Sequence, residues 1–76
     1  DIEKELDNIY LKDNVNKVLY ALPEKYREVL VLKFLEEKNY QEISDIIKKP
    51  VGTVGSLLNK AKSEFKKELT KQQIKI

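Results

Sequence analysis

The stretch Tyr40-Gln41-Glu42-Ile43-Ser44-Asp45-Ile46-Ile47-Lys48-Lys49-Pro50-Val51-Gly52-Thr53-Val54-Gly55-Ser56-Leu57-Leu58 decides the fold. Tyr40, Ile43, Ile46 and Ile47 recur at helical spacing, whereas Gln41, Glu42 and Asp45 lie off that stripe. This helix must stop before Pro50, because proline disfavours helical backbone at Lys49. Gly52 and Thr53 then open a second helix, with Thr53 or its neighbour as the expected N-cap. Val54, Leu57, Leu58, Ala61, Phe65 and Leu69 form its apolar stripe. Ser56, Asn59, Lys60, Lys62, Ser63, Lys66 and Lys67 populate the remaining surface. Ile43, Ile46 and Ile47 are expected to pack on Val54 and Leu58, and Ser56, Asn59 and Lys60 then face outward. A short helix, a tight turn and a longer helix with a basic outer face form a helix-turn-helix arrangement. Such a unit reads DNA because one α-helix fits the major groove while the first helix braces it across the backbone. Free N–H groups around Gly52 to Val54 would face phosphate. The same periodicity also suits a plain helical hairpin in a bundle.

Upstream of this unit the chain again reads as helices. Ile2, Leu6, Ile9 and Tyr10 share one face, and Val15, Val18, Leu19 and Leu22 continue it, with a break allowed near Asn14 and Asn16. Pro23 suits the first position of a new helix, and Glu24 in its first turn favours the helix dipole. Tyr26, Val29, Leu30, Lys33 and Phe34 mark its spacing, Leu32 and Leu35 widen the apolar sector, and Glu36 to Asn39 is a polar exit. The expectation is an all-α, small four-helix domain with helices over about 2–20, 23–36, 40–48 and 53–69. The first two would pair antiparallel around a shared core, and Lys71 to Ile76 would fray. Tyr10, Tyr20, Tyr26 and Tyr40 read as core or core-edge residues, and Phe34 and Phe65 as core that joins the helix pair to the second unit.

Composition narrows the function. The 76 residues carry 15 Lys+Arg and 13 Asp+Glu, a formal net charge of +2. That total hides a polarity: Asp1–Glu37 holds six basic and nine acidic residues, Lys38–Ile76 nine basic and four acidic. A basic second half is expected of a module that presents one face to a polyanion. There is no Cys and no His, so disulfides, thiolate metal sites and the commonest general base are all missing. No apolar run approaches the roughly 18 residues needed to span a bilayer. No Gly-rich phosphate loop or nucleophile–base pair stands out, so no enzyme, catalytic residue, metal or cofactor is expected. The absence of Met suggests a single domain, residues 1–76, cut from a longer protein.

Three strings go further. Leu22-Pro23-Glu24-Lys25-Tyr26-Arg27-Glu28-Val29-Leu30, Tyr40-Gln41-Glu42-Ile43 and Pro50-Val51-Gly52-Thr53-Val54 occur in order within a match running from Ala21 to Leu69. Together they resemble region 4 of the sigma-70 family of bacterial transcription initiation factors, most closely the extracytoplasmic-function group. The resemblance implies a cytoplasmic module that recognises the minus-thirty-five promoter element in double-stranded DNA. It also implies docking on the β-subunit flap of RNA polymerase core, a possible anti-sigma partner, and no membrane role. Carried over residue by residue, it places Gly52, Thr53 and Ser56 at the start of the recognition helix. Lys60 and Lys62 stand where the family usually has the Arg residues of an Arg-Ala-Arg run. Lysine keeps the charge and loses the bidentate fork, so these side chains would serve phosphate. The DNA-binding set is thus Gly52, Thr53, Ser56, Asn59, Lys60, Lys62 and Ser63, with Ser56 and Asn59 at base edges.

The chain also departs from the family. Gly55-Ser56-Leu57 replaces Lys-Ser-Arg, and Lys48 stands where the turn often has Gly. These departures motivate an alternative, a protein-interaction module that keeps the fold and has weakened DNA binding. A third reading is the output domain of a response regulator, which uses a similar helix-turn-helix.

Overall fold

The computed structural model describes residues 13–72, and helices account for most of them. We label the helix over 13–21 α1, Glu24–Leu30 α2, Tyr40–Ile47 α3 and Val51–Lys71 α4. α1 runs unbroken through Asn14 and Asn16. The expected stripe of Ile2, Leu6, Ile9 and Tyr10 and the tail 73–76 lie outside the described residues. No strand occurs among the described residues.

One core holds all four helices. Leu19 and Leu22 come from the α1 side, Val29 and Leu30 from α2, Leu32 from the turn that follows it, Ile43 from α3, and Val54, Leu58 and Ala61 from α4. Val15, Tyr26, Val31, Ile47, Leu57 and Phe65 close its edges. α4 packs on both α2 and α3, so it is the central beam of the domain. Fully burying each large aliphatic side chain contributes about 1.5–3 kcal/mol, and this set must offset the ordering of a short chain.

Several expectations are corrected. The second helix was expected to run from Pro23 to Glu36 as one α-helix. Instead Pro23 is its N-cap, and the α-helical part stops at Leu30. Val31–Leu35 forms a π-helical turn, in which the Glu36 N–H reaches back five residues to the Val31 carbonyl at 2.9 Å. The wider turn shifts every later side chain around the axis. Phe34, expected in the core, is 54% exposed, and Leu35 is 58% exposed. Glu37 follows with φ 57°, and the Lys38 N–H closes the exit on the Leu32 carbonyl at 2.9 Å.

The third helix begins at Tyr40 as expected, and a capping box explains why. The Asn39 side chain accepts from the Glu42 N–H at 2.8 Å, and the Glu42 carboxylate accepts from the Asn39 N–H at 3.0 Å. Ile43 is fully buried and Ile47 packs on the core, whereas Ile46, expected in the same contact, is 48% exposed. Tyr20 is likewise exposed at 76%, its ring 5.5 Å beneath the Arg27 guanidinium, and Tyr40 sits at the surface. Tyr26 and Phe65 do border the core.

The fourth helix starts two residues earlier than expected, at Val51, and ends at Lys71. Pro50 is the N-cap, so Thr53 lies inside the first turn and is not the cap. Proline fits there because its missing N–H would have had no intrahelical acceptor, while its carbonyl takes the Val54 N–H at 3.0 Å.

Candidate nucleic-acid interface

α4 has two faces with opposite environments. Val54, Leu58 and Ala61 on one side are fully buried. Gly52, Ser56, Asn59 and Ser63 recur at i, i+4, i+7 and i+11, and all are exposed. At about 100° per residue these four lie along one line of the helix, with Lys60 beside it. Thr53 is exposed at the start of that surface. None of these side chains has a hydrogen-bond or ion-pair partner among the described residues. The pairing that does occur lies further along, where Lys67 meets Glu64 at 3.4 Å and Thr70 bonds the Lys66 carbonyl.

The N-terminal end of α4 is open as well. Pro50 supplies no side-chain cap, and the first intrahelical N–H is that of Val54. The N–H groups of Val51, Gly52 and Thr53 therefore lack intrahelical acceptors, the arrangement that favours an approaching anion. A Cβ added at Gly52 would meet nothing within 4 Å. Gly52 thus has no packing duty inside the domain, although glycine in a helix costs about 1 kcal/mol relative to alanine. At Gly55 an added Cβ would sit 3.7 Å from the Tyr40 ring, an ordinary contact.

Lys62 separates from the rest of the expected set. It flanks the polar line on the side opposite Lys60, and its ammonium stands 5.5 Å from the centre of the Phe34 ring. With Lys66 it flanks an apolar groove formed by Val15 and Leu19 of α1, Leu30 and Phe34 of the α2 exit, and Phe65 of α4. This groove was not anticipated from sequence. Its signal was present in Phe34 and Leu35, but continuing α2 as a regular helix assigned Phe34 to the core and Leu35 to the apolar sector beside it. Leu57 is half-buried against the core edge, which accounts for an apolar residue there without a partner protein.

The turn that sets α4 against α3 is held at several points. Lys48 takes left-handed backbone angles, φ 58° and ψ 47°, and its N–H bonds the Ser44 carbonyl. The Lys49 N–H reaches the same carbonyl at 3.2 Å, while the Ser44 hydroxyl donates to the Lys49 carbonyl. A bracing helix, this locked turn and a long helix with a free polar face define a helix-turn-helix domain.

The comparisons agree on a more specific class. The family model for sigma-70, region 4 matches residues 12–65, and the chain belongs to that family. It is 34% identical over 62 residues to the ECF RNA polymerase sigma factor SigW of Bacillus subtilis (strain 168), covering 82% of this chain and 33% of that protein. It is 28% identical over 71 residues to the RNA polymerase sigma factor YlaC of the same organism, covering 93% of this chain and 41% of that one. The RNA polymerase sigma factor SigV, also from that organism, is 26% identical over 73 residues, 96% of this chain and 44% of its own length. The chain thus spans a third to less than half of these curated relatives. Membership in this family sets aside the response-regulator alternative. No helix among the described residues is long and apolar enough to cross a membrane.

Proposed function

We propose that this chain is the promoter-recognition module of a sigma factor acting in transcription initiation in the cytoplasm, a binding module with no catalytic role. In this reading α4 enters the major groove at the minus-thirty-five element, with Gly52 and Thr53 at phosphate, Ser56 and Asn59 at base edges, and Lys60 and Ser63 further along the backbone. The observation that carries it is the unpartnered polar face of α4, Gly52 to Ser63, mounted on a fully buried apolar stripe. Affinity would rest mainly on counterion release, and tethering to polymerase within a larger factor would raise the effective concentration. A fluorescence-anisotropy titration of duplex DNA at low salt tests this. Weak binding that falls steeply as salt rises is expected, and no binding at low salt would refute direct readout.

The groove at Phe34 supports the second half of the reading, docking on the β-subunit flap of RNA polymerase core. An apolar trough with Lys62 and Lys66 at its rim suits an amphipathic segment of a partner protein. Phe34→Asp should weaken co-purification with polymerase core and leave duplex binding nearly unchanged. The same groove gives the protein-interaction reading its footing, with an anti-sigma factor as occupant, because Lys62 leans toward Phe34 and away from the polar line of α4.

A further inference from the structure

We propose that Lys48 and Lys49, in the turn between α3 and α4, are DNA-backbone contacts that supply the positive charge missing from the first turns of α4. The inference rests on the function proposed above and adds residues to that site.

Five observations converge on these lysines. The start of α4 carries no cation: from Val51 to Asn59 the helix has no basic residue, and Lys60 is its first. The nearest positive charges on the N-terminal side are Lys48 and Lys49, both exposed. Neither makes an ion pair or a side-chain hydrogen bond among the described residues, so neither charge is committed inside the domain. The turn is also rigid where it bears them, because the Ser44 carbonyl holds both N–H groups and the Ser44 hydroxyl holds the Lys49 carbonyl. Finally, Lys48 occupies a left-handed position that glycine fills without steric penalty. A lysine there lowers stability, and no ion pair, side-chain hydrogen bond or cation–π contact of its own among the described residues offsets that loss.

Among the described residues Glu37 is the other non-glycine residue with positive φ, and it sharpens the point. The chain accepts a side chain at both left-handed positions, an anion at Glu37 and a cation at Lys48, and only the Lys48 exit adjoins the start of α4. In a helix-turn-helix the turn adjoins the end of the recognition helix that enters the groove, which brings its side chains within reach of the flanking phosphates.

The test uses Lys48→Gly, Lys48→Asn and Lys49→Gln, with Lys25→Gln in the first turn of α2 as a control for lost charge. Thermal unfolding and duplex binding across a salt series are measured for each. Lys48→Gly should raise the melting midpoint by several degrees while binding weakens, and its log–log salt slope should become shallower by about 0.9. Lys48→Asn and Lys49→Gln should show the same change in slope with little change in midpoint. Lys25→Gln should leave the slope where it was. Slopes for the position 48 and 49 variants that match the unsubstituted chain, or a Lys25→Gln change of equal size, overturn the inference. If the unsubstituted chain does not bind duplex at low salt, the proposed function itself fails and this inference falls with it.

Discussion

The two faces of α4 are built from neighbouring residues and answer to different demands. On the inner face Val54, Leu58 and Ala61 are fully buried against Ile43, Val29 and Leu30. There every methyl group has partners, and removing one leaves a cavity that the small domain cannot easily close. On the outer face Gly52, Ser56, Asn59 and Ser63 are exposed, and their side chains make no hydrogen bond among the described residues. The contrast separates the work of folding from the work of recognition along one helix. It requires that substitutions sort by face: inner ones change stability, and outer ones change binding.

The largest effect is expected on the inner face. Leu58→Ala should cost about 2–5 kcal/mol, comparable to the whole stability of a domain this size, so urea denaturation should find it largely unfolded. A cooperative transition close to that of the unsubstituted chain would break the contrast. Next comes the brace. Asn39→Ala removes one half of the α3 capping box and should lower stability by about 1 kcal/mol, read as a shift in the denaturation midpoint. Because α3 positions α4, duplex binding should weaken only in proportion to the unfolded fraction.

Smaller effects sharpen the boundary between the faces. Gly55→Ala should gain up to about 1 kcal/mol, since the added methyl makes only ordinary contact with Tyr40. Stability that falls instead would mean that the helix start is tighter than its geometry implies. Asn59→Ala should move stability by no more than about 0.5 kcal/mol, the usual range for an exposed site, and should reduce duplex affinity. A large loss of stability at Asn59 would place it in the folding half of the helix.

Much of this arrangement was legible in the residues themselves. The period of Val54, Leu58 and Ala61 identified the inner face, and Pro50 fixed the break ahead of it. The order of the three family strings identified the class. The π turn after Leu30 was not legible, because Phe34 and Leu35 are apolar under either winding and only the five-residue hydrogen bond to Val31 distinguishes them. Ile46 and Tyr20 misled for a related reason: helical spacing states which residues share a stripe, and the width of the neighbouring surface decides how much of it is covered. The capping box was present as Asn39-x-x-Glu42 and could have been found by its spacing. The direction of Lys62 could not, since it depends on where the Phe34 ring emerges from a turn whose winding the pattern does not encode.

The central claim is that the open side of α4 is the surface that meets DNA, and amide chemical-shift mapping addresses it directly. Duplex DNA added to the isotope-labelled chain at low salt should shift the amides of Gly52, Thr53, Ser56, Asn59, Lys60 and Ser63, with those of Leu19, Leu30 and Phe34 left in place. Perturbations confined to the groove around Phe34, with the α4 face silent, would contradict it.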